Sequence, residues 1–331
     1  VLTVLLTTHD GASTLPEVLD AYERVEAPAG GFCLLAVDDG SADGSSEILA
    51  AAARRLPLEV VRASHRGQNA ARNFALPRVE GDLVVLTDDD AVPRPDVLVR
   101  LREAADAHPE TTVFAGRVLP RWRAAPPPWV LRWVRLGPTF ALREDACHGP
   151  IPLDAALGPC LALRSSVFHE GLRFDESFGP DGSDDYAMGS ETSLLLALAR
   201  RGARARAVPD AVVEHVIEAG QLDEAWILAR AERFGRGRWR LDETFGDGGA
   251  PGGLPHLAAV ARERWRLAFA FGARGARRRF KARWRLRYLE GEARERARAR
   301  ASAAFTARRA ARPEPLSAGA GAGAAVAPRR P

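Results

Sequence analysis

Two groups of carboxylates stand out in the 331-residue chain, Asp38-Asp39 and Asp88-Asp89-Asp90. Each follows directly on an apolar run, residues 33–37 for the first and 82–87 for the second. On extended backbone alternate side chains share a side, so Asp88 and Asp90 face one site and Asp89 faces elsewhere. Two converging carboxylates with little lysine nearby repel one another unless a cation neutralises them. Mg²⁺ or Mn²⁺, held by one or two carboxylates with substrate phosphates completing its shell, suits that arrangement. An acidic turn is the plain alternative for either cluster alone, because Asp is frequent in loops and caps helices. Two clusters, each closing an apolar strand, favour a site. Cys147 and His148, with Asp145 nearby, offer a nucleophile and a base, but no strand–turn–helix elbow surrounds them, and they are set aside. Asp184 and Asp185 read as a solvated loop.

The elements that must position these groups alternate along the first half of the chain. Apolar strands are expected at 1–8, 33–37, 58–61, 82–87 and 112–115, and amphipathic helices follow from residue 15, at 45–56, 69–76 and 95–107. Such alternation implies crossover connections and a mostly parallel sheet covered on both faces. In that architecture ligands bind beyond the carboxyl ends of the strands, where both acidic clusters lie. From 117 to 157 the pattern breaks into an irregular segment with Pro126-Pro127-Pro128 among Trp122, Trp129 and Trp133. A strand at 160–163, a polar loop at 179–190, a helix at 191–201 and a strand at 203–208 follow.

In order and spacing, residues 1–218 resemble the family 2 glycosyltransferases of the GT-A fold. The resemblance is carried by TTHDGASTLPEVLDAY after the first strand, VDDGSADGSSEIL, GQNAARNFAL, LTDDDAVPRPDVL as a DxD motif, GPCLALRSSVFHEGLRFDESFG, GSETSLLLAL and VPDAVVEH. It implies a Rossmann-like GT-A sheet and an inverting transfer from a nucleotide sugar. It also implies that Thr8, Asp38, Asp39 and Arg72 line the nucleotide pocket. Asp88 and Asp90 would hold the metal and reach the ribose or diphosphate, and His215 would sit at the diphosphate and complete the metal shell. Glu191 would be the general base. Two positions depart from the pattern. Ser190-Glu191 stands where the family usually shows Glu-Asp, which keeps a carboxylate one methylene longer. Cys160 stands where many members have Asn near the sugar, so the donor sugar does not carry over. On position alone, Glu191 in a first helical turn also complements the helix dipole. His215 on a strand-like segment also reads as a hydrogen-bonded structural histidine.

Charge divides the chain. The net +4 is the sum of a body, 1–253, at −11, a segment 254–312 at +14, and a tail at +1. That division argues against a nucleic-acid binder, although basic segments with interleaved aromatics also bind single strands. The expected organisation is a catalytic domain at 1–245, a Gly-rich linker at 246–253, a basic helical arm at 254–312 and a disordered tail at 313–331. In the arm, Leu257, Val260, Trp265 and Phe269 recur at helical spacing, as do Phe280, Trp284 and Tyr288. Aromatic stripes among arginines suit an anionic bilayer surface. Packing of the stripe on the acidic body is the alternative, and a mixture has the first helix docked and the second facing lipid. No apolar run reaches the 18 or so residues of a membrane span. Three cysteines without CxxC spacing suit a reducing compartment. The chain does not begin with Met, so its true start is a non-Met codon or lies upstream.

These readings lead to one expectation. The protein moves a sugar from a nucleoside-diphosphate-sugar to a hydroxyl of a glycan or lipid-linked acceptor, with Mg²⁺ or Mn²⁺. The setting would be cell-envelope or polysaccharide synthesis, in the cytoplasm at the inner membrane face. A nucleotidyltransferase on a similar fold is disfavoured because TTHDGAST, after the first strand, has one Gly and no basic residue. A non-catalytic protein that kept the fold is disfavoured by the joint presence of Asp88, Asp90 and Glu191.

Overall fold

The first strand, β1 (Leu2–Thr8), is buried along its whole length, as a continuous apolar run requires when both sheet faces are covered. Its side chains divide between two cores. Leu2, Val4 and Leu6 join a cluster with Leu15, Val18, Leu49 and Leu101 on one face, and Leu5 joins Ala71, Ala75, Leu194 and Leu198 on the other. This computed structural model describes residues 1–156, 158–246, 254–270 and 272–310. Most of the expected linker and the whole expected tail at 313–331 lie outside the described residues.

Along the chain, β1 is followed by α1 (Leu15–Tyr22), β2 (Phe32–Asp38), α2 (Ser45–Ala52), β3 (Leu58–Arg62), α3 (Gln68–Ala75) and β4 (Leu83–Asp88). Next come β5 (Ala91–Pro93), α4 (Val97–Ala107), β6 (Val113–Trp122), α5 (Pro128–Trp133), α6 (Leu136–Phe140) and β7 (Gly149–Ile151). The last elements are β8 (Leu161–Arg164), α7 (Ser166–His169), α8 (Ser190–Arg200), β9 (Ala205–Ile217), α9 (Glu224–Phe245), α10 (Leu254–Ala268) and α11 (Gly272–Ala310). The strands form one sheet in the order β3-β2-β1-β4-β8-β6-β9-β5, with β7 also on β9. The long ladders, β1 with β2 and β4, β2 with β3, and β6 with β9, are parallel, and the short ones around β8, β5 and β7 are antiparallel. The expected mostly parallel α/β sheet is therefore present.

The segment at 117–157 is more regular than its sequence suggests. β6 runs on to Trp122, past a register shift between Gly116 and Arg117, because β9 pairs with it throughout. Beyond it, α5 and α6 set Trp129, Trp133 and Phe140 against the core.

The arm reverses the expected mixture. It is the second helix, α11, that docks. Phe280 is 2% exposed, with its ring 5.4 Å from that of Trp129 and 6.1 Å from that of Trp133. Arginines of α11 are paired with acids of the body, Arg283 with Glu224 at 2.7 Å and Arg298 with Asp185. Asp184 and Asp185 lie on an exposed loop, as read, and are also paired, Asp184 with Arg233 at 3.0 Å and Asp185 with Arg236 at 2.7 Å. By contrast α10 leaves Leu257, Trp265 and Phe269 exposed. Helices α9 and α11 cross closely because glycines meet there. A Cβ on Gly235 would overlap the carbonyl oxygen of Tyr288, and one on Gly291 that of Glu232. Gly235→Ala and Gly291→Ala should each cost about 1–3 kcal/mol in denaturant unfolding, the usual range for overpacking. Gly220→Ala, whose Cβ meets nothing nearby, should stay within about 0.5 kcal/mol of the parent.

Candidate active site

Parallel register delivers the first half of the site. Thr8 at the end of β1 lies opposite Asp38 at the end of β2, and Thr7 lies opposite Asp88 at the end of β4. The second half comes from an antiparallel ladder, in which Ala91 of β5 sits opposite His215 of β9. That pairing sets Asp90 beside His215, whose Nε2 lies 3.0 Å from Asp90 Oδ2 while Nδ1 lies 2.7 Å from the Phe140 carbonyl.

Arg72 of α3 ties the two carboxylates of greatest interest together. It is 1% exposed. One of its terminal nitrogens donates to Glu191 Oε1 at 2.7 Å and to Ser190 Oγ at 3.1 Å, and the other donates to Asp88 Oδ1 at 3.1 Å. Burial opposes its charge, but Glu191 and Asp88 outweigh burial and hold the guanidinium protonated. Gln68, which the sequence reading missed, also donates to Asp88 Oδ1 at 3.0 Å. Ser190, at the departure from the family pattern, is buried and joins the network by donating to Asn69.

Excess negative charge is visible in the carboxyl groups. Burial, with Asp90 and Glu191 adding to it against Arg72, pushes Asp88 up to about 6. Burial and Asp90 push Asp89 up to about 8. Burial works against a charged His215, yet Asp90 lifts it to about 9. Asp89 does not point away as alternation predicts. The chain turns at 89–90 instead of staying extended, so Asp89 accepts a hydrogen bond from Thr8 and lines the same cavity as its neighbours.

Asp38 and Asp39, expected at the nucleotide, hold loops together. Asp38 accepts from the Ser41 N–H at 2.8 Å and from the Ser46 hydroxyl, which together hold its carboxyl below the usual range against the effect of burial. Asp39 accepts from the backbone N–H groups of Arg66 at 3.1 Å and Gly67 at 2.8 Å. His9 and His65, stacked with ring centroids 4.0 Å apart, flank the Asp39 carbonyl. Cys160 is buried behind Gly116 rather than at the cavity, and burial pushes its thiol up to about 12. Cys147 is exposed, and His148 faces Asp210 at 3.3 Å, so the set-aside pair forms no nucleophilic centre.

Asp88, Asp89, Asp90, Glu191 and His215 open on one cavity of about 750 Å³. The same cavity is also lined by Trp133, Trp226, Arg230 and, from α11, Phe280, Trp284 and Tyr288. No sequence signal showed that these residues share a cavity with the acidic cluster. Among the described residues no three of His, Cys, Asp and Glu already form a metal-ligand cluster. A cation still fits, because Asp90 Oδ1 is buried with no hydrogen-bond partner beside an already crowded set of carboxylates. Replacing Arg72 by Gln leaves Asp88 and Glu191 facing each other without their shared cation. Stability should fall by about 3 kcal/mol in denaturant unfolding. Arg72→Lys, which cannot span both carboxylates with a fork, should recover only part of that loss.

The family profile of glycosyl transferase family 2 matches residues 3–171. Over 152 residues the chain is 30% identical to the undecaprenyl-phosphate 4-deoxy-4-formamido-L-arabinose transferase of Pseudomonas aeruginosa, covering 44% of this chain and 45% of that protein. The same-named protein of Edwardsiella ictaluri is 32% identical over 109 residues, 32% of this chain and 34% of that one. The chain thus spans less than half the length of these curated relatives. Among solved structures it resembles the mannosyltransferase PcManGT of Pyrobaculum calidifontis in complex with GDP-Man and Mn²⁺. The TM-score is 0.52 at 23% identity, over 93% of this chain and 79% of that one. It also resembles S. aureus TarS 1-349 in complex with UDP-GlcNAc, with a TM-score of 0.51 at 15% identity, over 89% and 91% of the two chains. These likenesses establish the GT-A fold, and the profile establishes that the chain belongs to glycosyl transferase family 2.

Proposed function

We propose that this protein is an inverting glycosyltransferase. In this reading it moves a sugar from a nucleoside-diphosphate-sugar onto a hydroxyl of a glycan or lipid-linked acceptor, in cell-envelope or polysaccharide synthesis. The observation that carries the reading is the Arg72 bridge between Asp88 and Glu191 at the edge of the cavity, with Asp90 and His215 beside it.

The acceptor hydroxyl attacks the anomeric carbon in line. Its proton passes to Glu191, the new carbon–oxygen bond forms, and the bond to the diphosphate breaks with the electron pair leaving on the diphosphate oxygen. Arg72 fixes the Glu191 carboxylate in place through Oε1. Asp88 and Asp90 would hold Mg²⁺ or Mn²⁺, which when bound supplies positive charge to the leaving diphosphate. His215 would join the metal's ligands only without its ring proton, and while protonated it neutralises Asp90. Thr8, Asp38 and Asp39 shape the side that receives the nucleoside, and Arg72 braces its border with the sugar.

The exposed face of α10 is proposed to rest on the cytoplasmic face of an anionic membrane. Leu257, Trp265 and Phe269 are about 60% exposed there, with Arg262, Arg264 and Arg266 on the same helix. No helix among the described residues is long and apolar enough to cross a membrane.

Glu191→Gln should abolish transfer while leaving Mn²⁺-dependent binding of UDP-sugars or GDP-sugars intact, as read by thermal shift. Asp90→Asn should remove the metal-dependent part of that shift. Transfer by Glu191→Gln at near the parent rate would remove Glu191 as the base. For the membrane contact, the full chain should co-sediment with phosphatidylglycerol vesicles. The combined variant Leu257→Ser, Trp265→Ser, Phe269→Ser should stay in the supernatant with its melting temperature unchanged, because none of the three is buried. Co-sedimentation of that variant, or none by the parent, would overturn the contact.

A further inference from the structure

Side chains at the start of α8 are fixed from α3, where Arg72 holds Glu191 Oε1 and Asn69 accepts from Ser190. The backbone that carries them is held from elsewhere. Helix α8 begins after Gly189 with no side-chain cap, and an uncapped first turn frays unless the chain before it is held. That chain is the loop at 179–189. It closes on itself through the Gly179 N–H, which donates to the Ala187 carbonyl at 2.8 Å. It also contributes Pro180, Tyr186 and Met188 to the cavity that Glu191 lines.

Helix α9 grips this loop along its length. The Met188 N–H donates to the Arg233 carbonyl at 3.1 Å, and Gly237 packs so closely that a Cβ there would overlap the Met188 carbonyl oxygen. Arg233 donates to the Asp184 carbonyl at 3.1 Å, and its guanidinium lies 4.8 Å from the centre of the Tyr186 ring. Arg236 is the most constrained of these contacts. It is 2% exposed, and its two terminal nitrogens take the carbonyl oxygen and the carboxylate Oδ1 of one residue, Asp185, the latter at 2.7 Å. Arg298 of α11 takes the other carboxylate oxygen. A rigid fork on both the backbone and the side chain of one residue sets the direction of the chain there, which a point charge cannot do. A buried ion pair returns little net stability compared with apolar packing, so what the fork contributes is geometry.

We infer that Arg236, gripping Asp185 together with Arg298 of the arm, is a positioning residue for Glu191 and acts through the loop at 179–189. The inference rests on the reading of Glu191 as the base. Arg236 itself lies outside the cavity lining, so its effect reaches the reaction through the segment it holds.

The test uses the full chain and its Arg236→Lys, Asp185→Asn and Glu191→Gln variants. The reaction followed is hydrolysis of a panel of UDP-sugars and GDP-sugars with Mn²⁺, in which water replaces the acceptor hydroxyl. The water oxygen bonds to the anomeric carbon, its proton passes to the base, and the nucleoside diphosphate leaves with the electron pair. Arg236→Lys keeps the charge but gives up the fork, and should lower kcat by about tenfold or more. The KM for the nucleotide sugar should change by less than about twofold, because Arg236 touches neither substrate. Asp185→Asn, at a side chain that is half exposed and tolerant of change, should lower kcat by about threefold or more. The double variant should be no slower than Arg236→Lys alone, since the two residues act as one unit. An unchanged kcat in Arg236→Lys, a change confined to KM, or losses that multiply in the double variant would overturn the inference. Should Arg236→Lys not fold, kcat of Asp185→Asn decides alone, and a parent-like value overturns it. Failure of the base reading appears separately, as hydrolysis by Glu191→Gln at the parent rate or as a parent that turns over none of the panel. The inference alone fails when Glu191→Gln is inactive and Arg236→Lys is not.

Discussion

A guanidinium buried to 1% exposure, Arg72, is the constraint around which the site is arranged. It joins Asp88, sixteen residues away, to Glu191, more than a hundred residues away, and so makes one site of two distant parts of the chain. Buried charge of this kind persists only where its partners are fixed, because each ion gives up water that the other must replace. The fixing is local and redundant. Gln68 adds a second donor to Asp88, and Ser190 links Arg72 to Asn69. His215 adds a second cation, paired with Asp90 Oδ2, yet Asp90 Oδ1 is left buried and unbonded. That unbonded oxygen is what makes a divalent ion fit.

Two kinds of strand pairing meet at this point. Parallel ladders align the ends of β1, β2 and β4, so Thr8, Asp38 and Asp88 emerge side by side. The short antiparallel ladder of β5 on β9 folds the chain back after the turn and places Asp90 against His215. A purely parallel sheet would have carried residues 89–93 onward into a crossover helix and away from β9. The change of direction within six residues is what lets three consecutive aspartates serve different neighbours, Asp88 with Arg72, Asp89 with Thr8, and Asp90 with His215.

The strands and their order of appearance were legible because doubly covered parallel strands are written as unbroken apolar runs. The convergence of Arg72, Asp88, Asp90, Glu191 and His215 was legible through motif resemblance, which encodes long-range proximity that periodicity cannot. Asp89 was misread because alternation holds only on extended backbone, and the turn begins one residue earlier than the acidic run suggests. The 117–122 stretch looked irregular because Pro120 and Trp122 interrupt its apolar pattern, whereas β9 supplies the pairing that keeps it a strand. Asp184 and Asp185 are exposed, as read, but their arginine partners were not legible because they lie some fifty to more than a hundred residues onward.

The arm shows why a charge division in a sequence does not by itself name a partner. Phe280, Trp284 and Tyr288 have the same helical spacing whether they meet lipid or protein, and only the position of Trp129 and Trp133 decides for protein. Once α11 is docked, its arginines fall into two populations. Those facing acids of the body, such as Arg283, Arg294 and Arg298, are neutralised in place. Lys281 and Arg285 instead border the cavity that the aspartates also line. The basic arm and the acidic body therefore meet along one surface of contact. The arm thereby lines the same cavity as the aspartates, and removing it would lay that cavity open and take with it any membrane contact made by α10.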